Sequence, residues 1–199
     1  MLKLWLIRHG KTEGNKLARY IGVTDEHLCR EGREFLKKLD YPVPEAVYVS
    51  PMYRCLETAG ILFPEHKVHI IDELAECDFG DFENKNYKEL SGNKDYQAWI
   101  DSGGTLAFPG GESREAFRHR TLIGFQKAVA GCIREEISYG ALVVHGGTIM
   151  NIMEQYADVQ RPFYEWHVKN GGGYEVEIDP KQWMENRRGF IVRTGLLEG

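Results

Sequence analysis

Two histidines in this sequence each stand between a short apolar run and a glycine. His9 follows the apolar run 2–7 directly after Arg8, and His145 follows the apolar run 141–144. A third apolar run, at 46–49, is followed a few residues later by Arg54. Because ligands bind outside the carboxyl ends of strands in open α/β sheets, we expect these side chains at one edge of a sheet. Two guanidinium forks beside helix N-termini indicate a site for a phosphate group.

A pair of imidazoles is suited to phosphoryl transfer. One neutral imidazole can attack phosphorus and hold the phosphoryl group covalently, which splits one difficult displacement into two easier steps. The other can donate hydrogen bonds to the equatorial oxygens of the transition state. The leaving oxygen then needs a proton, and Glu76, in the loop after the predicted strand 68–71, is the best-placed carboxyl. Beside a phosphate dianion, we expect the pKa of this carboxyl to rise.

Five blocks of sequence, in chain order, resemble those of a known family. The blocks are 6–12 (LIRHGKT), 50–54 (SPMYR), 73–76 (ELAE), 109–113 (PGGES) and 144–148 (VHGGT). Together they resemble the histidine phosphatase superfamily, which includes the cofactor-dependent phosphoglycerate mutases. The blocks extend over most of the chain, whereas Arg-His-Gly alone would recur by chance.

The resemblance implies a role for each matching residue. His9 would be the nucleophile that becomes phosphorylated, and Glu76 would first protonate the leaving group and later act as the base for water. The groups that would bind the phosphoryl group are Arg8, Asn15, Arg54, His145 and the backbone amide of Gly146. No metal or other cofactor is expected, since the guanidiniums and imidazoles supply the positive charge that Mg²⁺ supplies in other phosphoryl-transfer enzymes.

Within the superfamily, residues 73–90 and 96–99 look most like α-ribazole phosphatases. The expected reaction is therefore hydrolysis of α-ribazole 5′-phosphate or a similar small phosphate ester. Thr12, Tyr87 and Trp99 are candidate substrate contacts. The aromatic residues of this region either stack on a substrate ring or simply pack a small insertion.

Two other functions remain open from the sequence. One is a mutase, which returns the phosphoryl group to another hydroxyl and needs a fuller lid than this short chain offers. The other is a phosphate-ester binding module with little catalysis.

Two residues depart from the family pattern. Lys11 replaces the more common Glu or Gln, and either favours a more anionic substrate or points to solvent; Cys55 replaces alanine and is interpreted as packing.

The elements that must position these residues alternate between strands and helices. Strands are predicted at 2–7, 46–49, 68–71, 141–144, 174–178 and 190–193. Helices are predicted in the second half of 16–39, at 52–63, within 88–100, at 113–137 and at 148–156. This order predicts a three-layer α/β/α sandwich with a mainly parallel sheet. We expect a single domain over 1–199, with an insertion or lid at about 84–111.

The composition narrows the setting of this chemistry. The chain has 199 residues and a formal net charge of −5, which argues against nucleic acid or an acidic membrane surface as a partner. The four cysteines include no C-x-x-C pair, so neither a thiolate zinc site nor a disulfide framework is expected. No signal peptide or membrane span is evident. We therefore expect a cytoplasmic protein acting on a small phosphate ester; the oligomeric state is not indicated.

Overall fold

The computed structural model describes residues 1–196, so the last three residues of the predicted 1–199 domain lie outside the described part. The strands are β1 (Leu2–Arg8), β2 (Ala46–Val49), β3 (Val68–Ile70), β4 (Tyr139–Val144), β5 (Gly173–Ile178) and β6 (Phe190–Leu196). The α-helices are α1 (Glu13–Lys16), α2 (Arg30–Leu36), α3 (Tyr53–Leu62), α4 (Lys94–Asp101), α5 (Arg114–Arg134), α6 (Gly146–Tyr156) and α7 (Pro180–Asn186). Short 3-10 helices lie at Asp72–Leu74, Gly80–Phe82 and Phe163–Trp166.

The strands form a six-stranded sheet in the order β3-β2-β4-β1-β5-β6. The four strands β3, β2, β4 and β1 are parallel to one another, and β5 and β6 continue the sheet in antiparallel pairing. The predicted α/β fold with a mainly parallel sheet is confirmed. Because the parallel strands point the same way, the residues that follow β1, β2 and β4 meet at one edge of the sheet.

Side chains that alternate along the central strands fill two separate cores. Leu4 and Leu6 of β1 join the core that includes residues of α5, α6 and α7. Trp5 and Ile7 of the same strand join the core on the other face, which includes residues of α3. Helices therefore cover both faces of the sheet, as a three-layer sandwich requires. Among residues 1–196, no helix has the length and apolar character that crossing a membrane requires.

The helix predicted in the second half of 16–39 is confirmed as α2, whereas one other helix was not predicted. Just before α2 begins at Arg30, Glu57 of α3 accepts from the backbone N–H of Leu28 at 2.8 Å and lies 2.7 Å from the His27 ring. Helix α7 was not predicted, although Asp179 caps it and Pro180 occupies its first turn, both recognised start signals.

The segment predicted as an insertion, 84–111, carries α4 and a loop that returns to the body of the protein. The N–H of Asp81 donates to the carbonyl of Pro109 at 2.8 Å. Gly80 makes this approach possible: its φ is +51°, and a Cβ on it would come within 2.1 Å of the same carbonyl oxygen. Movement of this segment as a lid stays a prediction, as does the single-domain organisation.

Candidate active site

The carboxyl ends of β1, β4 and β2 bring the two histidines together. His9 follows β1, and His145 follows β4, its neighbour in the sheet. The ring centroids of His9 and His145 lie 5.2 Å apart. Both side chains are buried, as is Arg54 in the first turn of α3. The structure therefore places two imidazoles and a guanidinium in one cluster, although the sequence separates them widely.

One hydrogen bond fixes the proton on the His9 ring. Nδ1 lies 2.7 Å from the carbonyl oxygen of Gly10, and because a carbonyl only accepts, Nδ1 carries the proton. In the neutral ring, Nε2 then keeps its lone pair. Burial lowers the pKa of the His9 imidazole well below its usual range, and the charges of Arg54 and Arg8 lower it further. A neutral, oriented imidazole is the form that can attack phosphorus.

The His145 ring is held by two protein groups. Arg54 Nε donates to Nδ1 at 3.3 Å, so the neutral ring carries its proton on Nε2, which lies 2.7 Å from Ser50 Oγ. Burial lowers the pKa of the His145 imidazole well below its usual range, with Arg54 as the next cause. Direct donation from this ring to a phosphoryl group would replace one of these two contacts, and it stays a prediction.

The two guanidiniums differ in their partners. Arg54 also donates from Nη1 to the carbonyl of Thr24 at 2.9 Å and from Nη2 to that of Gly22 at 2.8 Å, which anchors it rigidly. Arg8 donates from Nη1 to the carbonyl of Val168 at 2.7 Å, whereas its buried Nε has no partner among the described residues. Burial lowers the pKa of the Arg8 guanidinium, and the charge of Arg54 adds to this effect. An anion bound between the Arg8 and Arg54 guanidiniums would give Arg8 Nε a partner and would offset the repulsion between the two positive charges.

Glu76 lies buried at the start of α6. Its Oε2 accepts from the N–H of Gly147 at 3.1 Å, and its Oε1 accepts from the N–H of Cys77 at 3.0 Å. Burial raises the pKa of the Glu76 carboxyl, and it prevails over these two donors and the charges of Arg54 and Arg8. The carboxyl is thereby adapted to hold a proton closer to neutral pH, as a general acid must.

An aromatic cavity of about 210 Å³ opens beside Glu76. Seven aromatic side chains line it: Tyr20, Phe79, Trp99, Phe108, Phe117, Phe163 and Tyr164. Trp99 and Phe108, both within 84–111, have their ring centroids 5.2 Å apart. The cavity is suited to an apolar, planar group attached to the oxygen that Glu76 would protonate.

The other predicted residues occupy different positions. Trp99 lines the aromatic cavity, but Tyr87 does not and is 58% exposed. Thr12 is buried as the N-cap of α1, where its hydroxyl accepts from the N–H of Asn15 at 3.2 Å. Asn15 Oδ1 accepts from the side-chain amide of Asn170 at 3.1 Å. Gly146 begins α6 beside Arg8, and a Cβ on it would lie 3.4 Å from Arg8 Nε.

Three contributors to the site received no role from the sequence. Ser50 contacts His145, and His167 Nε2 lies 3.2 Å from Arg8 Nη1. Asn170 also donates to the carbonyl of His9 at 3.1 Å. Ser50 was detectable from its place at a strand end in the second block. His167 and Asn170 carry no local signal, because their partners lie some 160 positions away in the chain. Cys55 is buried beside His145, and burial raises the pKa of its thiol to about 12.

The buried histidines have a consequence for stability. The unfolded chain protonates His9 and His145 near pH 6.5 but the folded protein does not, so the free energy of unfolding should fall as pH drops below about 6.5, by about 1.4 kcal/mol per pH unit for each. The folded-state pKa of Glu76 is raised, so between this pKa and about 4.5 the carboxyl is protonated in the folded protein but not in the unfolded chain. In that pH range Glu76 offsets the loss of stability caused by one of the two histidines. Urea unfolding from pH 7.5 to 5.5 in phosphate-free buffer measures this dependence. It should be weaker in His9→Asn, and equal dependence in both proteins would contradict the assignment.

Residues 4–189 match the family model of the Histidine phosphatase superfamily (branch 1). The adenosylcobalamin/alpha-ribazole phosphatase of Salmonella typhimurium is 32% identical over 127 residues, which cover 60% of this chain and 63% of that protein, just under two thirds of its length. A 2,3-bisphosphoglycerate-dependent phosphoglycerate mutase of Parvibaculum lavamentivorans is 25% identical over 98% of this chain and 95% of its own.

Among solved structures, the alpha-ribazole phosphatase of Shigella flexneri superposes with a TM-score of 0.82 at 24% identity. The superposition covers 98% of this chain and 96% of that one. At this level of identity the likeness establishes the fold alone.

Proposed function

We propose that this chain, which belongs to the histidine phosphatase superfamily, hydrolyses phosphomonoesters through a phosphohistidine at His9. The observation that carries the proposal is the cluster itself. The ring centroid of the buried, neutral His9 lies 5.2 Å from that of His145, and the positive charges of Arg54 and Arg8 act on it. The same two positive charges act on the Glu76 carboxyl. Nucleophile, anion-binding groups and acid are thus present together.

In the first step, His9 Nε2 attacks phosphorus and the bond from phosphorus to the ester oxygen breaks. Glu76 gives its proton to that oxygen, so the leaving group departs as a neutral alcohol. In the second step, water attacks the phosphohistidine while the Glu76 carboxylate takes its proton. The P–N bond breaks, which releases inorganic phosphate and restores the neutral His9 ring and the protonated Glu76. Arg8 and Arg54 hold the negative charge of the phosphoryl oxygens in both steps.

We propose an α-ribazole 5′-phosphate-like ester as the substrate, which would assign the chain to cobalamin assembly. The name of the Salmonella relative supports this choice, and so does the aromatic cavity beside Glu76, which suits a heteroaromatic leaving group. We place the reaction in the cytoplasm, where the four free, buried thiols would stay reduced.

The mutase relative, which aligns along nearly the whole chain, favours a second candidate, transfer to another hydroxyl. Mass spectrometry of the His9 peptide after an alkaline quench separates the two. A phosphatase should lose its phosphohistidine to water at the same rate with or without 3-phosphoglycerate. Faster loss on adding 3-phosphoglycerate, with formation of the bisphosphate, would establish the mutase instead.

A further inference from the structure

A groove of about 730 Å³ lies on the outer side of Arg8, apart from the aromatic cavity. Its cationic lining consists of Arg8, Lys11, Arg19, Lys38 and Lys169, and its acidic lining of Glu31 and Glu34. The chain as a whole has a net charge of −5, so the groove has an excess of positive charge on a protein that is negatively charged overall. A concave surface of one sign concentrates ligands of the opposite sign.

Arg8 connects the groove to the reaction centre. Its Nη1 contacts His167 at 3.2 Å, and His167 lines the groove. Its Nε, which has no partner within residues 1–196, lies next to Gly146 at the start of α6. A ligand in the groove would therefore lie next to the phosphoryl site without occupying it.

The groove and the aromatic cavity are separate. The neighbouring residues Arg19 and Tyr20 line the groove and the cavity, respectively, so the segment that carries them divides the two. Arg19 is oriented by contacts of 3.1 Å to Asn84 and 2.8 Å to Glu89, and its buried Nε has no partner among the described residues. The Lys11 ion pair with Glu31 is partly exposed, so an incoming anion can displace it at little cost.

Building on the proposed function, we propose that the groove binds a second anionic group of the substrate, a phosphate or a carboxylate. The scissile phosphoryl group would lie between Arg8, Arg54 and the histidines, and the second anion would lie against Lys11 and Lys38. The substrate class is then a phosphate ester that carries a second negative charge besides its aromatic moiety. α-Ribazole 5′-phosphate itself has no such charge, so the groove favours a more anionic relative of that ester. This assignment gives Lys11 the anionic-substrate role left open by the sequence.

The test uses two ligands that differ by one phosphate. Adenosine 5′-monophosphate and adenosine 3′,5′-bisphosphate are compared as competitors of 4-nitrophenyl phosphate hydrolysis. The wild type should bind the bisphosphate about tenfold more tightly. The double variant Lys11→Gln/Lys38→Gln should lose this preference while its kcat/KM for 4-nitrophenyl phosphate stays unchanged. The matched control is Lys16→Gln, since Lys16 and Lys11 are both 41% exposed and each pairs with one glutamate, but Lys16 does not line the groove.

The preference in the wild type should also shrink between 0.01 and 0.15 M salt, because exposed charges are then screened beyond about 8 Å. Equal preference in the wild type and the double variant, or loss of preference in Lys16→Gln as well, would overturn the groove assignment. If the wild type does not hydrolyse 4-nitrophenyl phosphate, the proposed function fails instead. The same two dissociation constants, measured by calorimetry, then still decide whether the groove binds the second phosphate.

Discussion

His9→Ala is expected to reduce kcat/KM for 4-nitrophenyl phosphate by about 10⁴-fold or more, the scale seen when a covalent nucleophile is removed from an enzyme. The reason is that the Nε2 lone pair, kept free by the bond from Nδ1 to Gly10, is the only route to the covalent intermediate in the proposed reaction. Initial rates across a range of substrate concentrations measure the loss. The same variant should form no phosphopeptide after an alkaline quench.

The control for this variant is His119→Ala, which removes an exposed histidine from α5 and should leave the rate unchanged. Because His9 is buried, thermal unfolding with and without inorganic phosphate should accompany the kinetics, to establish that His9→Ala still folds. If the wild type and His9→Ala hydrolyse the ester equally slowly, the chain is a phosphate-ester binding module.

Glu76→Gln is expected to slow hydrolysis of alkyl phosphates by about 10²–10⁴-fold, the usual contribution of general acid catalysis. Its effect on 4-nitrophenyl phosphate should be much smaller, because nitrophenolate leaves without a proton. The glutamine keeps an oxygen that can accept from Gly147 or Cys77 but cannot give up a proton. Plotting log kcat/KM against the pKa of the leaving alcohol measures the difference as a steeper slope for the variant.

The raised pKa of Glu76 also predicts a pH profile. Activity requires a protonated Glu76 and a neutral His9, so kcat/KM should fall as pH rises through the carboxyl pKa and should hold towards acid pH, because the pKa of His9 is lowered. Glu76→Gln should lose the alkaline limb. Glu73→Gln makes the same chemical change at a partly exposed carboxylate paired with Lys127, and should keep both the limb and the rate. An equal loss for good and poor leaving groups in Glu76→Gln would refute the acid role.

The family resemblance stated from five motifs is confirmed, and so is the α/β architecture. The motifs were detectable because they are local: three of the five place His9, Arg54 or His145 within a few positions of a strand end. The helix predicted in the second half of 16–39 is confirmed as α2, because its apolar spacing is local too. Contacts between distant residues were not detectable in this way: Glu57, from α3, contacts His27 and Leu28 just before α2.

The sequence by itself determined which reactive residues the chain carries and which strands bring them to one edge of the sheet. Only the tertiary structure decided their chemical state: that His9 is neutral with a free Nε2, that burial already raises the pKa of Glu76 without a bound phosphate, and that His145 is held by Ser50 and Arg54. It also separated the cationic groove from the aromatic cavity and left Tyr87 outside both. The alternation of strands and helices and the positions of strand ends follow from residues that are neighbours in the sequence. The burial of a side chain, the tautomer of a histidine ring and the charges that act on a titratable group instead depend on partners that the chain brings together only by folding.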